Sequence, residues 1–418
     1  MSERTISEPS ELRMIVVCPH FDPDTAPTGR VMSRIVAELV ALGHHVDVVT
    51  SLPWYRGHDV EPEWRARWAR RQRTAWGSIV RVNPFAGPDK RNLVRRALGF
   101  AGFSVLAGVG GLAAGGPLRK VDAVIAMSPP LTLGLAGRLI AWSHRAPLVF
   151  NIQDVFPDAA VETGAITDRR VIAAASGLER LSYRLSDAVT VLSADLADNV
   201  RAKLPALLAG RVHLIPNFVD TQHIRPADRH TAYRRQLGLG DGPVVLYAGN
   251  VGFSQSLELM LVAAGELPDV TFLINGEGSM RADLERQAAG LTNVRFGRHV
   301  TDDRLVELLA TGDIHVVPLR RGLAAVSVPS KTYSILAAGR PIIAAIDAGT
   351  EVPRILAASG AGTVVEPDDP VAFTAAIRDL VGDERRGSAM GAAGRRWVEQ
   401  AASPRAVALA YDQLIRSL

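Results

Sequence analysis

One cysteine in 418 residues excludes an intrachain disulfide and fits a reducing compartment. That residue, Cys18, ends an apolar run, where a small buried hydrophobe is expected rather than a nucleophile. Aromatics are scarce too, at 6%, so the cores must be mostly aliphatic. The ten histidines are scattered, without HxxxH or CxxC spacing, and no metal site is expected. No secretory signal is visible, because residues 1–13 are polar and include Glu3, Glu8 and Glu11. A clean apolar span is missing as well. Residues 97–118 are uncharged and have the length of a membrane crossing, about 20 residues, but seven of them are glycine. Glycine costs ~1 kcal/mol against alanine in a helix, so a buried or interfacial segment is expected there instead. Within it, Gly108 to Ala113 reads GxGxxA, yet no clean strand precedes it and no strand-end acid follows about 20 residues on, which excludes a dinucleotide fingerprint.

What is present is an ordinary globular composition, 47% apolar and 22% charged, long enough for two or three domains. The net charge of +4 is small but uneven. Residues 60–100 hold ten Lys/Arg against three acids. Two readings stand: an anionic partner such as a membrane surface or lipid diphosphate, or a solvated basic helix. No recognisable nucleic-acid module accompanies the run, so nucleic acid is not expected as a partner.

Strands and helices alternate along the chain. Strands are predicted at 13–18, 45–50, 123–127, 147–152, 188–192 and 212–215, with helices between them at 29–42, 131–144 and 171–185. Ser193 is expected to cap the helix after the strand at 188–192. Residues 216–242 read as a linker. The pattern then restarts with strands at 244–248, 270–274, 294–297, 314–319, 342–346 and 362–365, and three helical stretches end the chain. Apolar strands alternating with helices mean parallel sheets covered on both faces. The predicted architecture is α/β, two tandem doubly wound domains, with a ligand cleft at the carboxyl ends of their strands.

Four strand-to-helix turns carry glycine or a hydroxyl. Thr28-Gly29 follows the first strand. Gly249-Asn250-Val251-Gly252, with Gln255, follows Val244 to Ala248. Asn275-Gly276-Glu277-Gly278 follows the next strand. Pro329-Ser330-Lys331 opens a short helix predicted from Thr332 to Ala338, stopped by Gly339 and Pro341. Free backbone N–H groups and the dipole at such helix starts suit a phosphate. The dipole supplies only ~0.3–1 kcal/mol, so Lys331 would provide much of the charge complementarity; a capped surface helix with a solvated lysine is the plainer alternative. Asp154, after the strand ending at Ile152, could orient an acceptor hydroxyl or take its proton, or could cap a helix ahead of Pro157. His20 at the first strand mouth could touch substrate or pack. Arg298 and His299 could approach a base or form an ordinary turn.

Tyr247-Ala248-Gly249-Asn250 with Gln255, Pro329-Ser330-Lys331 with Ala338-Gly339-Arg340-Pro341, and Asp154-Val155-Phe156-Pro157-Asp158 resemble the family-4 glycosyltransferases of the GT-B fold. The resemblance runs from Arg13 to the last helix and is strongest to bacterial sugar transferases of the fucosamine-transferase and colanic-acid type. It implies an N-terminal acceptor-side domain over 1–216, completed by a helix at about 403–418, and a nucleotide-sugar domain over 217–402. It implies retaining transfer of a hexosyl or N-acetylhexosaminyl group from a nucleotide-diphosphate donor, with UDP favoured, to a lipid-linked or surface-glycan acceptor. No metal or other cofactor is implied, and the setting is cytoplasmic, peripheral to the inner face of the membrane through 60–118. Catalytic roles would fall to Asp154 and Lys331. Donor contacts would fall to Thr28, Gly29, Gly249, Asn250, Gln255, Glu277, Arg298, Ser330, Lys331 and Ser334. The family's paired glutamates are replaced here by Val326 and Ser334, and its Arg and Lys by Asn250 and Gln255. Lys331 would then stand in for the missing cation, and Ser334 for part of the ribose contact. A nucleotide-sugar 2-epimerase of the same fold, or an inactive nucleotide-sugar-binding protein, are the alternatives.

Overall fold

The computed structural model describes residues 10–57, 59–65, 68–85, 93–116, 120–158, 166–323 and 330–418. Val326 and Pro329, and Arg67, Lys90 and Arg91 of the basic run, lie outside the described residues. The chain divides into two compact units, Met1–Asn217 with Val407–Leu418, and Phe218–Ala406.

The first unit contains β1 (Arg13–Val17), α1 (Pro27–Ala41), β2 (His45–Ser51), β3 (Ala69–Thr74), β4 (Gly77–Val82), α2 (Leu93–Ala113), β5 (Ala123–Ser128), α3 (Thr132–His144), β6 (Leu148–Ile152), α4 (Arg169–Leu185), β7 (Ala188–Val191), α5 (Ala194–Ala202) and β8 (Val212–Leu214). Its sheet has the order β3-β4-β2-β1-β5-β6-β7-β8, parallel except for β3 on one edge. Central strands are aliphatic and buried on both faces, as in Ile15, Val16, Val17 and Val124, Ile125, Ala126. Phe150 is fully buried among them and contributes about 1.5–3 kcal/mol by burial. Asp168 caps α4 by accepting from the N–H of Arg170 at 2.7 Å, and Ser193 caps α5 as expected, accepting from Leu196 N–H at 3.2 Å.

One reading of this half needs correction. The basic stretch is not a helix throughout: Ala69 to Val82 forms a hairpin whose edge strand exposes Arg70, Arg71 and Arg73. Residues 93–113 do form one helix, and Gly108 to Ala113 lies inside it. The glycines of α2 serve close packing. Gly108 faces Ala136 of α3, Gly110 lies over Val49 and Val80, and a Cβ on Gly111 would overlap Ile140.

The second unit contains α6 (Ala232–Gln236), β9 (Val244–Ala248), α7 (Glu258–Glu266), β10 (Thr271–Asn275), α8 (Arg281–Gln287), β11 (Val294–Gly297), α9 (Leu305–Thr311), β12 (Ile314–Pro318), α10 (Lys331–Ala337), β13 (Ile342–Ala345), α11 (Glu351–Ser359), β14 (Gly362–Val365), α12 (Pro370–Val381) and α13 (Glu384–Ala401). The last helix is α14 (Pro404–Ser417). Its Tyr411 is buried in the first unit, where its hydroxyl is 2.8 Å from Asn151 Nδ2 and 3.2 Å from Thr190 Oγ1. The second sheet is all parallel, in the order β11-β10-β9-β12-β13-β14. The stretch read as a linker to Gly242 is folded in its second half. Arg234 of α6 is buried and donates to the carbonyls of Gly240, Gly242 and Thr311.

Candidate active site

Counted along the chain, the second sheet has the order 3-2-1-4-5-6, and its connections reverse direction between β9 and β12. In open parallel sheets the crevice at that reversal, beyond the carboxyl ends of the strands, is where ligands sit. The loops there are stitched backbone to backbone, so the ladder continues past the strand ends. Gly249 N–H donates to Asn275 O at 2.9 Å, Val251 N–H to Glu277 O at 2.8 Å, and Gly276 N–H to Gly297 O at 3.2 Å. Only glycine fits the closest approach. Gly276 has φ +149°, and a Cβ on it would overlap the Gly249 carbonyl oxygen.

Lys331 opens α10 and returns over the mouth of β9. Its Nζ lies 3.9 Å from the centroid of the Tyr247 ring, an interaction of ~0.5–2 kcal/mol. It also sits beside Gly249, where a Cβ would be 2.8 Å from Nζ. Burial draws its amine down from 10.5 to about 7, and among the described residues no carboxylate opposes that shift. Tyr247 is itself buried, with its hydroxyl donating to Asn250 O at 2.5 Å; burial pushes that phenol up. A buried aromatic therefore fixes both the lysine and the turn beside it.

The remaining predicted residues separate. Asn250 is exposed, with its amide toward Gly252. Gln255 spends its side-chain oxygen on Gly252 N–H at 3.1 Å, leaving only its amide hydrogens to offer. Glu277 is exposed, 3.6 Å from Arg281. Arg298 is exposed after β11. Ser330 stands at the start of α10, but its side chain makes no capping bond, contrary to the capping expectation. Its backbone is already helical there, with φ −56° and ψ −25°, which is not the extended geometry of a capping residue. Ser334 is half-buried one turn beyond Lys331.

In the first unit the order reverses between β1 and β5. Gly29 is buried, and its Cβ would be 2.9 Å from His20 Cβ, so it lets α1 pack on the β1 mouth. Thr28 is half-buried and gives no cap. His20 holds Asp24 at 2.7 Å through Nδ1 and stacks on Trp54 at 5.3 Å. Asp154 is exposed beyond β6 on a loop fastened at both ends. Gln153 donates to Asn151 at 2.8 Å before it. Asp158 after it accepts from Asn199 at 2.9 Å and Lys203 at 2.7 Å. Cys18 is buried as expected, its thiol pushed up to about 12.

Residues 28–217 match the Glycosyl transferase 4-like domain, and residues 242–383 match Glycosyl transferases group 1. A putative colanic acid biosynthesis glycosyl transferase, WcaI of Escherichia coli K12, is 30% identical over 387 residues, covering 88% of this chain and 92% of that protein. The chain belongs to the family-4 glycosyltransferases. Among solved structures, a sucrose-phosphate synthase from Thermosynechococcus elongatus aligns over 97% of this chain and 99% of its own, with a TM-score of 0.68 at 18% identity. Anabaena HepE, solved in complex with UDP and glucose, aligns over 98% and 100% with a TM-score of 0.60 at 13% identity. These likenesses establish the GT-B fold, two Rossmann-like domains in tandem.

Three residues at this candidate site were not singled out for it from the sequence. Tyr247 enters the sequence reading as a strand residue and as part of the Tyr247–Asn250 motif, and nothing local shows that its ring faces Lys331. Arg281 binds the Gly276 carbonyl, and the Gly297 carbonyl at 2.6 Å, closing the mouths of β10 and β11. Arg320 ties the β12 loop to the β9 loop through Phe253 O at 2.7 Å and Glu258 at 2.9 Å. The spacing of Arg281, four residues after Glu277 at a helix start, is the one local signal available.

Proposed function

We propose that this glycosyltransferase moves a sugar from a nucleoside-diphosphate donor to a lipid-linked or surface-glycan acceptor, without a metal and with retention of anomeric configuration. The observation that carries the reading is Lys331 at the β9–β12 reversal. It is a desolvated amine beside a glycine-lined turn, with no carboxylate among the described residues drawing on it. When the bond from the anomeric carbon to the diphosphate oxygen breaks, charge grows on that oxygen. A cation already held in place stabilises it without reorganisation. Lys331 thus stands in for the basic pair that Asn250 and Gln255 replace. Ser334, on the same face one turn later, meets the ribose. Asp154 orients the acceptor hydroxyl and takes its proton as the glycosidic bond forms.

UDP is the nucleotide of choice for a first test. The glycan acceptor draws on the name of the colanic acid relative. Contact with the inner face of a membrane is supported by α2. Leu98, Val105, Val109 and Leu112 are exposed at spacings of seven, four and three, which is one helical face. Arg70, Arg71 and Arg73 stand exposed on β3 of the same unit. Among the described residues no helix is long and apolar enough to cross a membrane.

The test is a thermal-shift screen of nucleoside diphosphates and their sugars. A ligand at ~100 times its dissociation constant stabilises by ~2.7 kcal/mol. Lys331→Ala should abolish the shift and turnover together. Undiminished donor affinity in that variant, or epimerised UDP-sugar appearing without any acceptor, overturns the reading.

A further inference from the structure

Contacts across the first sheet sort its helices into two layers. Phe150 and Asn151 are neighbours on β6, so their side chains point to opposite faces. Phe150 meets Gly134 of α3, where a Cβ would lie 3.2 Å from its ring. Asn151 meets Tyr411 of α14. Helices α3 and α14 therefore cover opposite faces. α2 and α4 flank α3 in its own layer. The hydroxyls of Ser104 and Thr132 are 2.7 Å apart, and Gly108 and Gly111 of α2 rest on Ala136 and Ile140 of α3. These pairs advance together, so the two helices run side by side in one direction. On the other flank, Ser182 of α4 donates to Leu131 O at 3.1 Å, and Arg138 of α3 donates to Leu185 O at 3.1 Å.

The solvent side of this layer carries large apolar side chains on all three helices. Beside the α2 stripe, α3 exposes Leu139 and Trp142, and α4 exposes Val171 and Leu181. Gly111 lies against Ile140, so Leu112 is level with Leu139 and Trp142. The three helices contain one acid between them, Glu179, and it is buried. Their exposed charges are basic, as in Arg180 and Arg184 of α4, and Arg145 follows α3. Two arginines of β3 join this rim. Arg71 and Arg73 stand opposite Val80 and Ser78, and opposed residues of an antiparallel pair share a face. Val80 lies under Gly110 of α2, which puts both arginines on the α2 side. Arg70 points to the other face, over Trp64 at 4.8 Å. Arg71, Arg73, Arg145, Arg180 and Arg184 make no side-chain hydrogen bond or ion pair with another described residue. Exposed acids return at the margins. Asp187, after α4, is already paired with Arg138 at 2.8 Å; Asp168 precedes α4, and Asp198 is on α5.

An apolar field spread over three helices and rimmed by unengaged arginines marks an interaction surface. A second copy docked face to face would set that rim against itself. An anionic bilayer complements both parts, because acyl chains receive the apolar side chains and headgroups receive the guanidinium groups. Trp142, near the end of α3, is of the residue type that settles at headgroup level. We infer that the α2–α3–α4 layer lies flat on an anionic phospholipid surface, with α14 turned away from it. This rests on the proposed membrane contact and extends it from one helix to a layer, which fixes the face of the first unit that meets lipid.

The probes are vesicles of phosphatidylcholine alone and of phosphatidylcholine with phosphatidylglycerol, sedimented with the full chain at low salt. The mixed vesicles should bind at least about tenfold more tightly, because each arginine near an anionic surface adds to affinity. Arg71→Gln with Arg73→Gln should weaken that binding about tenfold or more. Leu139→Asp with Leu181→Asp should do the same, although neither residue is on α2. Leu409→Asp, at an exposed position of α14, should leave binding unchanged. All of these side chains are exposed, so each variant should keep the parent's melting temperature. Parent protein that ignores the mixed vesicles overturns the membrane contact and this surface together. Binding weakened by Val105→Asp with Val109→Asp but not by Leu139→Asp with Leu181→Asp leaves α2 as the contact and refutes the layer. Equal binding to both vesicle types refutes the basic rim. A lipid-free dimer that Leu139→Asp with Leu181→Asp dissociates assigns the face to a second copy instead.

Discussion

Donor binding should take up a proton through Lys331. The amine is held near 7 by burial beside Tyr247 and Gly249, so at pH 7 it is about half protonated. A diphosphate placed against it favours the charged form, and binding must then draw about half a proton from solution at that pH. If the bound amine stays charged throughout, the linkage relation makes affinity about tenfold weaker at pH 8 than at pH 6, roughly 1.4 kcal/mol. An intact nucleotide sugar is the proper probe, because a terminal phosphate would add its own titration near ~6. Calorimetry in two buffers of different ionisation enthalpy reads the proton count directly. The free protein gives an independent check on the sign. Between about 7 and the ordinary lysine value of 10.5 the unfolded chain binds more protons at this group, so its contribution to stability rises with pH across that window. A flat affinity from pH 6 to 8, with no proton uptake at pH 7, refutes the reasoning. So does an unchanged slope in Lys331→Met.

Three further outcomes are expected. Gly276→Ala should lose about 2–4 kcal/mol in urea unfolding, since a Cβ at φ +149° meets the Gly249 carbonyl; a loss under ~0.5 kcal/mol would mean that the loops separate easily. Lys203→Met should cost about 3–5 kcal/mol near neutrality, because Lys203 bridges Asp158 and the fully buried Glu179 at 2.7 Å each. Burial already lifts the Glu179 carboxyl against the pull of Lys203; without the lysine it rises further, so the variant should regain stability as pH falls, and equal losses at pH 5 and pH 8 would contradict this. Val105→Asp with Val109→Asp should reduce flotation of the chain with anionic vesicles while leaving UDP binding unchanged. Parent protein that fails to float at low salt removes the membrane contact.

Most strands were legible to within a residue or two, because a parallel strand covered on both faces must be a short aliphatic run bounded by turn residues. Val244–Ala248, Val294–Gly297 and Gly362–Val365 lie where the pattern puts them. β3 was not legible. As an edge strand it need not bury its side chains, and Arg70, Arg71 and Arg73 gave it the composition of a solvated helix. α6 was hidden for a related reason: the buried face of its five residues is Tyr233 and Arg234, and Arg234 is satisfied by carbonyls up to 77 positions away in sequence. At the site, glycine and lysine positions could be read because turns demand particular residues. The neighbours that set their chemistry could not. Nothing around Lys331 announces the Tyr247 ring, and nothing in α10 reveals that Ser330 leaves its capping position unused.

The placement of Tyr411 has a consequence for synthesis on the ribosome. Asn151 and Thr190 sit on neighbouring strands of the first sheet, bonded to each other at 3.1 Å, and both also take a hydroxyl from the last helix. About 220 residues separate Thr190 from Tyr411, which is roughly 10–45 s of translation at ~5–20 residues per second. Throughout that interval the first unit lacks its last helix, and Asn151 and Thr190 have each other at 3.1 Å but not the Tyr411 hydroxyl, while the second unit is completed at Ala406 before that helix emerges. The half of the molecule made first is therefore the half finished last.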